Sequence, residues 1–252
     1  MPKYDFDIGI IGAGAAGLTV AAGASQLGAR TLLVEKEKEL GGDCLHFGCV
    51  PSKTLIRTAN VYHLFRRSGD FGLPPLDMKP VDFRSIVQRI RSVVGTIQKH
   101  DSKERFCTLG VRVESGYSFF KDEHAIDLNG ETLSARTWVI ATGSSPSIPE
   151  IEGLDNMPYL TNRDLFYLDS LPESLIIIGG GPIGIEMAQA FNRLGSRVSV
   201  IQRGGQILSK EDFDMATDIM NFMTEEGVSF HLNAQIAGAK DLGNEREIRI
   251  KR

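Results

Sequence analysis

Cysteine is scarce in this chain, with three in 252 residues, a count that excludes a fold held by a framework of structural disulfides. Basic runs are missing as well, and with a formal charge of −4 nothing in the composition favours nucleic acid as a partner. No apolar stretch approaches the length of a membrane span. A strand is predicted over Asp5 to Ile11, so near the N-terminus that no cleavable signal peptide is expected ahead of it. There is no low-complexity tract. What remains is an ordinary balance, 42% hydrophobic and 24% charged residues, enough for one large or two small α/β domains. The expected compartment is the cytoplasm.

Glycine, by contrast, is placed in two clusters. The first follows the strand and reads Gly12-Ala13-Gly14-Ala15-Ala16-Gly17. A helix comes next, then a strand Thr31-Leu32-Leu33-Val34 ending at Glu35. Gly12 suits a tight turn, Gly14 lets the backbone approach a pyrophosphate, and Gly17 permits close helix–strand packing. The helix N-terminus faces the phosphates, and Glu35 is placed to accept hydrogen bonds from a ribose.

The second cluster repeats the pattern. Strand Leu175 to Ile178 leads into Gly179-Gly180-Gly181-Pro182-Ile183-Gly184, a helix over Ile185 to Leu194 and a strand over Arg197 to Ile201. Gly179, Gly181 and Gly184 take the three fingerprint positions. Gln202-Arg203 stands where an acid is expected. An acid reads a free ribose 2′-hydroxyl, whereas a nearby Arg accommodates a 2′-phosphate. The pair therefore favours NADP over NAD, with a solvated loop charge as the alternative for Arg203.

Between the clusters, Cys44 and Cys49 lie in the run Gly41-Gly42-Asp43-Cys44-Leu45-His46-Phe47-Gly48-Cys49-Val50-Pro51-Ser52-Lys53. Five helical residues advance about 7.5 Å, and cysteine Cα atoms more than about 7 Å apart cannot be bridged. A bridge here needs a distorted turn, which Gly48 tolerates. Pro51 fits the first turn of a helix and leaves Cys49 near its positive end, a position that favours a thiolate. A redox pair, an inert buried pair and half of a metal site are the readings open to this spacing. No further Cys or His cluster completes a metal shell. Cys107 reads as a small buried residue. Helical periodicity covers Val81 to Ile97, strand-like runs cover Val111 to Phe120 and Ala125 to Leu128, and Thr137 to Ala141 reads as a buried strand. Pro146, Pro149 and Gly153 mark a break, so the expected domains are 1–150 and 151–252.

Together these motifs resemble the flavin-dependent pyridine nucleotide-disulfide oxidoreductases, the group containing dihydrolipoamide dehydrogenase, mercuric reductase and glutathione reductase. The resemblance covers essentially the whole sequence, and its most specific part is Gly41 to Lys53. It implies two Rossmann-like three-layer α/β domains, FAD on the first and NADP or NAD on the second, with the second incomplete. Electrons would pass from NAD(P)H to flavin, to a Cys44–Cys49 disulfide and on to a dithiol, disulfide or soft-metal substrate. By matching position, Cys49 would be the charge-transfer thiolate and Cys44 the interchange thiol. Lys53, paired with Glu186, would lie by the flavin's reactive edge, where a fixed cation stabilises negative charge; without the motif both read as helix surface charge. The resemblance further places Gly42, Asp43, Gly116, Thr142 and Gly143 against FAD.

Some positions depart from the family pattern. Asp43 stands where Thr is common, so its carboxylate is expected to pair with a metal or to turn away. Pro182 replaces an aromatic nicotinamide gate. Ser52 matches the dihydrolipoamide and mercuric branch, and Gln202-Arg203 resembles some mercuric reductases. The family's remaining strands, its dimerisation domain and its acid/base His-Glu pair have no counterpart here. A homodimer is therefore expected of a full-length parent, and weak or no turnover of this chain alone. The competing readings are an NAD(P)H oxidase or quinone reductase of the same fold, and a nucleotide- or metal-binding protein without turnover.

Overall fold

The computed structural model describes residues 3–251, which divide into two compact units. The first comprises the chain up to Pro51 together with Ile90–Pro146, the second Ser52–Arg89 together with the chain from Ser147 on. Residues 52–89 thus group with the second unit, whereas the sequence reading placed them in the first domain.

In the first unit the elements are β1 (Phe6–Ile11), α1 (Ala15–Gln26), β2 (Thr31–Glu35) and α2 (Gly42–His46), after which α3 (Cys49–Arg66) begins. The chain returns along α4 (Phe83–Gln98) to α5 (Lys103–Thr108), β3 (Val111–Ser115), β4 (Ser118–Phe120), β5 (Ala125–Leu128) and β6 (Glu131–Ile140). The strands form one sheet in the order β3-β2-β1-β6-β5-β4. Its β3, β2, β1 and β6 run parallel, and β4 and β5 add antiparallel. Every residue of β2 is buried, as a central parallel strand covered on both faces should be. Alternation sorts its side chains: Leu33 packs with Ile10, Leu18, Ala21 and Phe106 beneath α1 and α5. Leu32 and Val34 pack on the opposite face with Ile126, Leu128 and Leu133 of the antiparallel strands. Full burial of each such side chain is worth about 1.5–3 kcal/mol.

The run expected as one strand over Val111 to Phe120 is broken at Gly116-Tyr117, because Gly116 has φ +148° and its N–H bonds to the Glu35 carbonyl at 2.9 Å. Cys107 corrects the sequence reading: it is exposed. On the short α5, Phe106 takes the core position, and the next residue is turned about 100° away from it.

The second unit contains β7 (Ser174–Ile178), α6 (Pro182–Leu194), β8 (Arg197–Ile201), α7 (Phe213–Glu225) and β9 (Ser229–His231). A parallel sheet in the order β7-β8-β9 is followed by an antiparallel hairpin, β10 (Gln235–Asp241) with β11 (Arg246–Lys251). Helix α6 starts at Pro182, earlier than expected, since proline lacks only an N–H that the first helical position would leave unbonded. It buries Ile185, Met187, Ala188, Phe191 and Leu194, and Phe191 meets Phe83 with ring centroids 5.7 Å apart. Arg193 on the same helix is braced by Asn60 at 2.6 Å and by the Glu226 carboxylate. No helix among the described residues is long and apolar enough to cross a membrane.

Candidate functional site

Gly12, Gly116 and Gly143 follow the C-terminal ends of β1, β3 and β6 in the first unit. Gly12 turns with φ +101°, and a Cβ there would lie 2.3 Å from the Ala141 carbonyl oxygen. That closeness brings the Thr142-Gly143 turn beside the loop, and Ala141 N–H is bonded to the Ile11 carbonyl at 2.8 Å. A Cβ on Gly17 would fall 1.8 Å from the Gly12 carbonyl oxygen, so only glycine allows α1 to pack here. Around Gly14 there is room, its nearest neighbour being Gly42 Cα at 3.8 Å from an added Cβ. Gly41 N–H bonds to the Ala13 carbonyl at 2.8 Å, which lays Gly41-Gly42 along the same loop. Gly42 itself needs φ +57°.

Glu35 sits at the head of this crevice and is buried. Its Oε2 accepts the Ala13 N–H at 2.6 Å and its Oε1 the Glu37 N–H at 3.0 Å. The residue thus braces the loop, and each oxygen keeps a lone pair for a ribose. Beside it, Gly116 faces the Asn129 side chain, whose amide donates to the Ser115 carbonyl at 3.0 Å. Tyr117 is exposed, with the Lys36 ammonium 5.8 Å from its ring centroid. The sequence reading missed Asn129. The signal was present, because Asn-Gly between two strand-like runs marks a hairpin turn.

The loop shape, the capless N-terminus of α1 and the open space at Gly14 fit the pyrophosphate of a dinucleotide. Gly12 adjoins Thr142 and Gly17, Gly42 adjoins Gly14, and Glu35 bonds both Ala13 of the loop and, through its carbonyl, Gly116.

The cysteines occupy the break between two helices. Cys44 lies in α2, and Cys49 opens α3. Gly48 between them packs so tightly that a Cβ would meet the Asp43 carbonyl oxygen at 2.9 Å. The two thiols are unbridged and hydrogen-bonded to each other, and that bond, followed by burial, pushes Cys44 up to about 11. Cys44 therefore holds its proton at neutral pH. His46 Nε2 lies 3.0 Å from the Leu40 carbonyl, so that nitrogen carries the hydrogen; Gln98 donates to the same oxygen at 3.1 Å. The first bond ties the end of α2, and the second the end of α4, to the loop before α2. Asp43 stands in the first turn of α2. No group of three or more metal-ligating side chains forms among the described residues.

Lys53 lies one turn after Cys49 on α3, and its Nζ is 2.5 Å from both Glu186 oxygens. The pair is substantially exposed, so its own stability contribution is about 0–1 kcal/mol.

The second glycine loop copies the first. A Cβ on Gly184 would lie 2.3 Å from the Gly179 carbonyl oxygen, the counterpart of Gly17 over Gly12. Gln202 Oε1 accepts the Gly180 N–H at 3.0 Å, as Glu35 does from Ala13, each twenty-two residues along. Its amide nitrogen donates to the Gln206 carbonyl at 3.1 Å, a contact with no advance signal in the sequence. Leu208 N–H closes on the Gly180 carbonyl at 2.7 Å. Arg203 next to it is exposed.

The family model described as pyridine nucleotide-disulphide oxidoreductase matches residues 6–251. A mercuric reductase of Bacillus cereus is 33% identical over 249 residues, covering 99% of this chain and 39% of that protein. A dihydrolipoyl dehydrogenase of Acholeplasma laidlawii is 33% identical, covering 94% of this chain and 71% of the relative. Among solved structures, a Cu(II) complex of the HOCl-induced flavoprotein disulfide reductase RclA from Escherichia coli superposes with a TM-score of 0.83 at 28% identity. It covers 97% of this chain and 52% of that one. The chain thus spans about half, or less, of the mercuric reductases it matches, which it covers to 39%, 45% and 50%.

Proposed function

Because the chain belongs to the pyridine nucleotide-disulphide oxidoreductases, we propose that Cys44 and Cys49 are its redox centre, cycling between dithiol and disulfide. The observation that carries this reading is the placement of two unbridged thiols on either side of one helix break, Cys44 in α2 and Cys49 opening α3, after a glycine loop of dinucleotide-binding form. FAD held by the Gly12–Gly17 loop would supply two-electron transfer between a nicotinamide nucleotide and sulfur. Lys53, held by Glu186, keeps a fixed positive charge one helical turn from Cys49.

In reducing a substrate disulfide, the Cys44 sulfur attacks one substrate sulfur and displaces the other as a thiol. Cys49 then attacks Cys44, releasing the second thiol and leaving the Cys44–Cys49 disulfide. Two electrons leave the pair, and its two protons go to the products. Cys44 begins this sequence protonated, so attack requires a base to take its proton. General-base catalysis of this kind is worth about 10²–10⁴-fold in rate. A soft metal ion is the second substrate class, since two thiolates are soft ligands. Mercuric reductases among the relatives and a copper complex among similar structures support it.

NADPH is the proposed reductant at the second loop. Gln202 carries no negative charge to repel a 2′-phosphate, and Arg203 beside it is exposed to receive one.

Anaerobic reductive titration of the FAD-loaded chain tests the redox centre. The account expects about four electrons per chain, two on flavin and two on sulfur, and about two after Cys44→Ser. Equal uptake by both proteins would refute the assignment.

A further inference from the structure

Two side-chain ties join α3 to α6, and they share one register. Lys53 pairs with Glu186 and Asn60 accepts from Arg193, each pair 133 residues apart in sequence. From Lys53 to Asn60, as from Glu186 to Arg193, is two helical turns or about 10.5 Å, so each helix presents both residues on one face. Equal offsets on the two helices mean that they run past each other in the same direction.

The ties differ in build. The Lys53 and Glu186 side chains are 59% and 41% exposed, and an exposed pair of long side chains has little energy with which to choose a register. Those of Arg193 and Glu226 are only 17% exposed. Arg193 donates from Nε and Nη2 to the Glu226 carboxylate. Glu226 is tied back to α6 in turn, its carboxylate accepting from Gln189 at 3.3 Å and its carbonyl from Asn192 at 2.8 Å. A guanidinium is planar, so a fork fixed on two nitrogens aims the third. That third nitrogen, Nη1, meets Asn60 Oδ1 at 2.6 Å. Burying a charge pair is costly, and apolar side chains of similar volume would hold two helices together as well. What the fork adds is direction.

We propose that Arg193 is a positioning residue: it sets α3 in register with α6, so that Glu186 meets Lys53 one turn from Cys49. The proposal rests on the reading of Cys44 and Cys49 as the redox centre. Its consequence is chemical. A nearby cation favours the thiolate that reacts, and Glu186 tempers the charge that Lys53 presents to Cys49. Arg193 does not act on Cys49 directly. Asn60, which it touches, lies about 16 Å along α3 from Cys49, beyond the screening length of about 10 Å at 0.1 M salt.

The test is the rate at which iodoacetamide modifies Cys49 in the reduced 252-residue chain at pH 7, read by peptide mapping. In the unaltered chain, Glu186→Gln should raise the rate about twofold by uncovering the Lys53 charge. Made in Asn60→Leu or in Arg193→Met, the same substitution should leave the rate unchanged, because the register that brings Glu186 to Lys53 is gone. It should also have no effect in Lys53→Met. Asn60→Leu keeps every charge and the Arg193–Glu226 pair, and so decides the matter if Arg193→Met fails to fold. An equal rise in all backgrounds, or none in the unaltered chain, would overturn the proposal. The redox reading fails separately, if the oxidised chain forms no Cys44–Cys49 disulfide; the rate comparison uses reduced protein and stands without it.

Discussion

Gln202 accepts the Gly180 N–H at 3.0 Å and so holds the second glycine loop with a neutral amide where Glu35 uses a carboxylate. Its other end donates to Gln206, a bond that a carboxylate cannot make. Gln202→Glu sets an oxygen against the Gln206 carbonyl and a negative charge in the place proposed for a 2′-phosphate. Affinity for NADPH relative to NADH should fall about tenfold, as measured by calorimetric titration with each nucleotide.

Gly14 and Gly17 should separate folding from cofactor binding. Gly17→Ala drives a methyl into the Gly12 carbonyl and should cost about 3 kcal/mol or more. Gly14→Ala has room within the fold and should cost about 1 kcal/mol or less, yet it should weaken FAD uptake because the space it fills is where a pyrophosphate approaches. Urea unfolding and flavin absorbance read the two effects.

Both glycine units were legible because turn, helix packing and strand end each demand particular residues at fixed spacing. Gly12, Gly17 and Gly184 sit where that logic requires. The redox run was legible as a helix break through Gly48. Other features depended on tertiary partners that no local pattern encodes. Cys107 faces solvent because Phe106 took the core, and the Gln202–Gln206 contact joins two polar residues that any loop might contain. Gly116 broke a strand whose residues read as continuous, since its partner Glu35 is remote in sequence.

Glu226 shows burial and pairing in opposition. Burial pushes its carboxyl up, but hydrogen bonds and charge from Arg193 outweigh that and hold it below its ordinary value of 4.5. Both side chains are 17% exposed. Glu226→Gln leaves the guanidinium without its countercharge and should cost about 2 kcal/mol at pH 7. Because the folded carboxyl is depressed, this stability is present above pH 4.5 and is lost as pH falls through the folded value. Denaturant midpoints of the two proteins should converge in acid.

Cys44 carries the opposite sign. Its thiol is raised from 9.0 to about 11, so between these values the unfolded chain ionises while the folded chain stays neutral. The contribution to stability is complete below pH 9 and is lost as pH rises toward 11. Alkylation of Cys44 should be slower than that of an ordinary thiol and should keep accelerating until the pH reaches about 11, and Cys49→Ser, which removes the first cause of the shift, should move the midpoint to lower pH. Peptide mapping after iodoacetamide treatment at graded pH checks both.

Counting reactive thiols in the native chain, as oxidised and then after a dithiol reductant, tests the central claim most directly. Cys107 is exposed and outside the pair, so the account predicts about one thiol before reduction and about three after it. Three thiols in both states would contradict a redox disulfide, and a rise from one to three on adding a chelator alone would assign the pair to a metal.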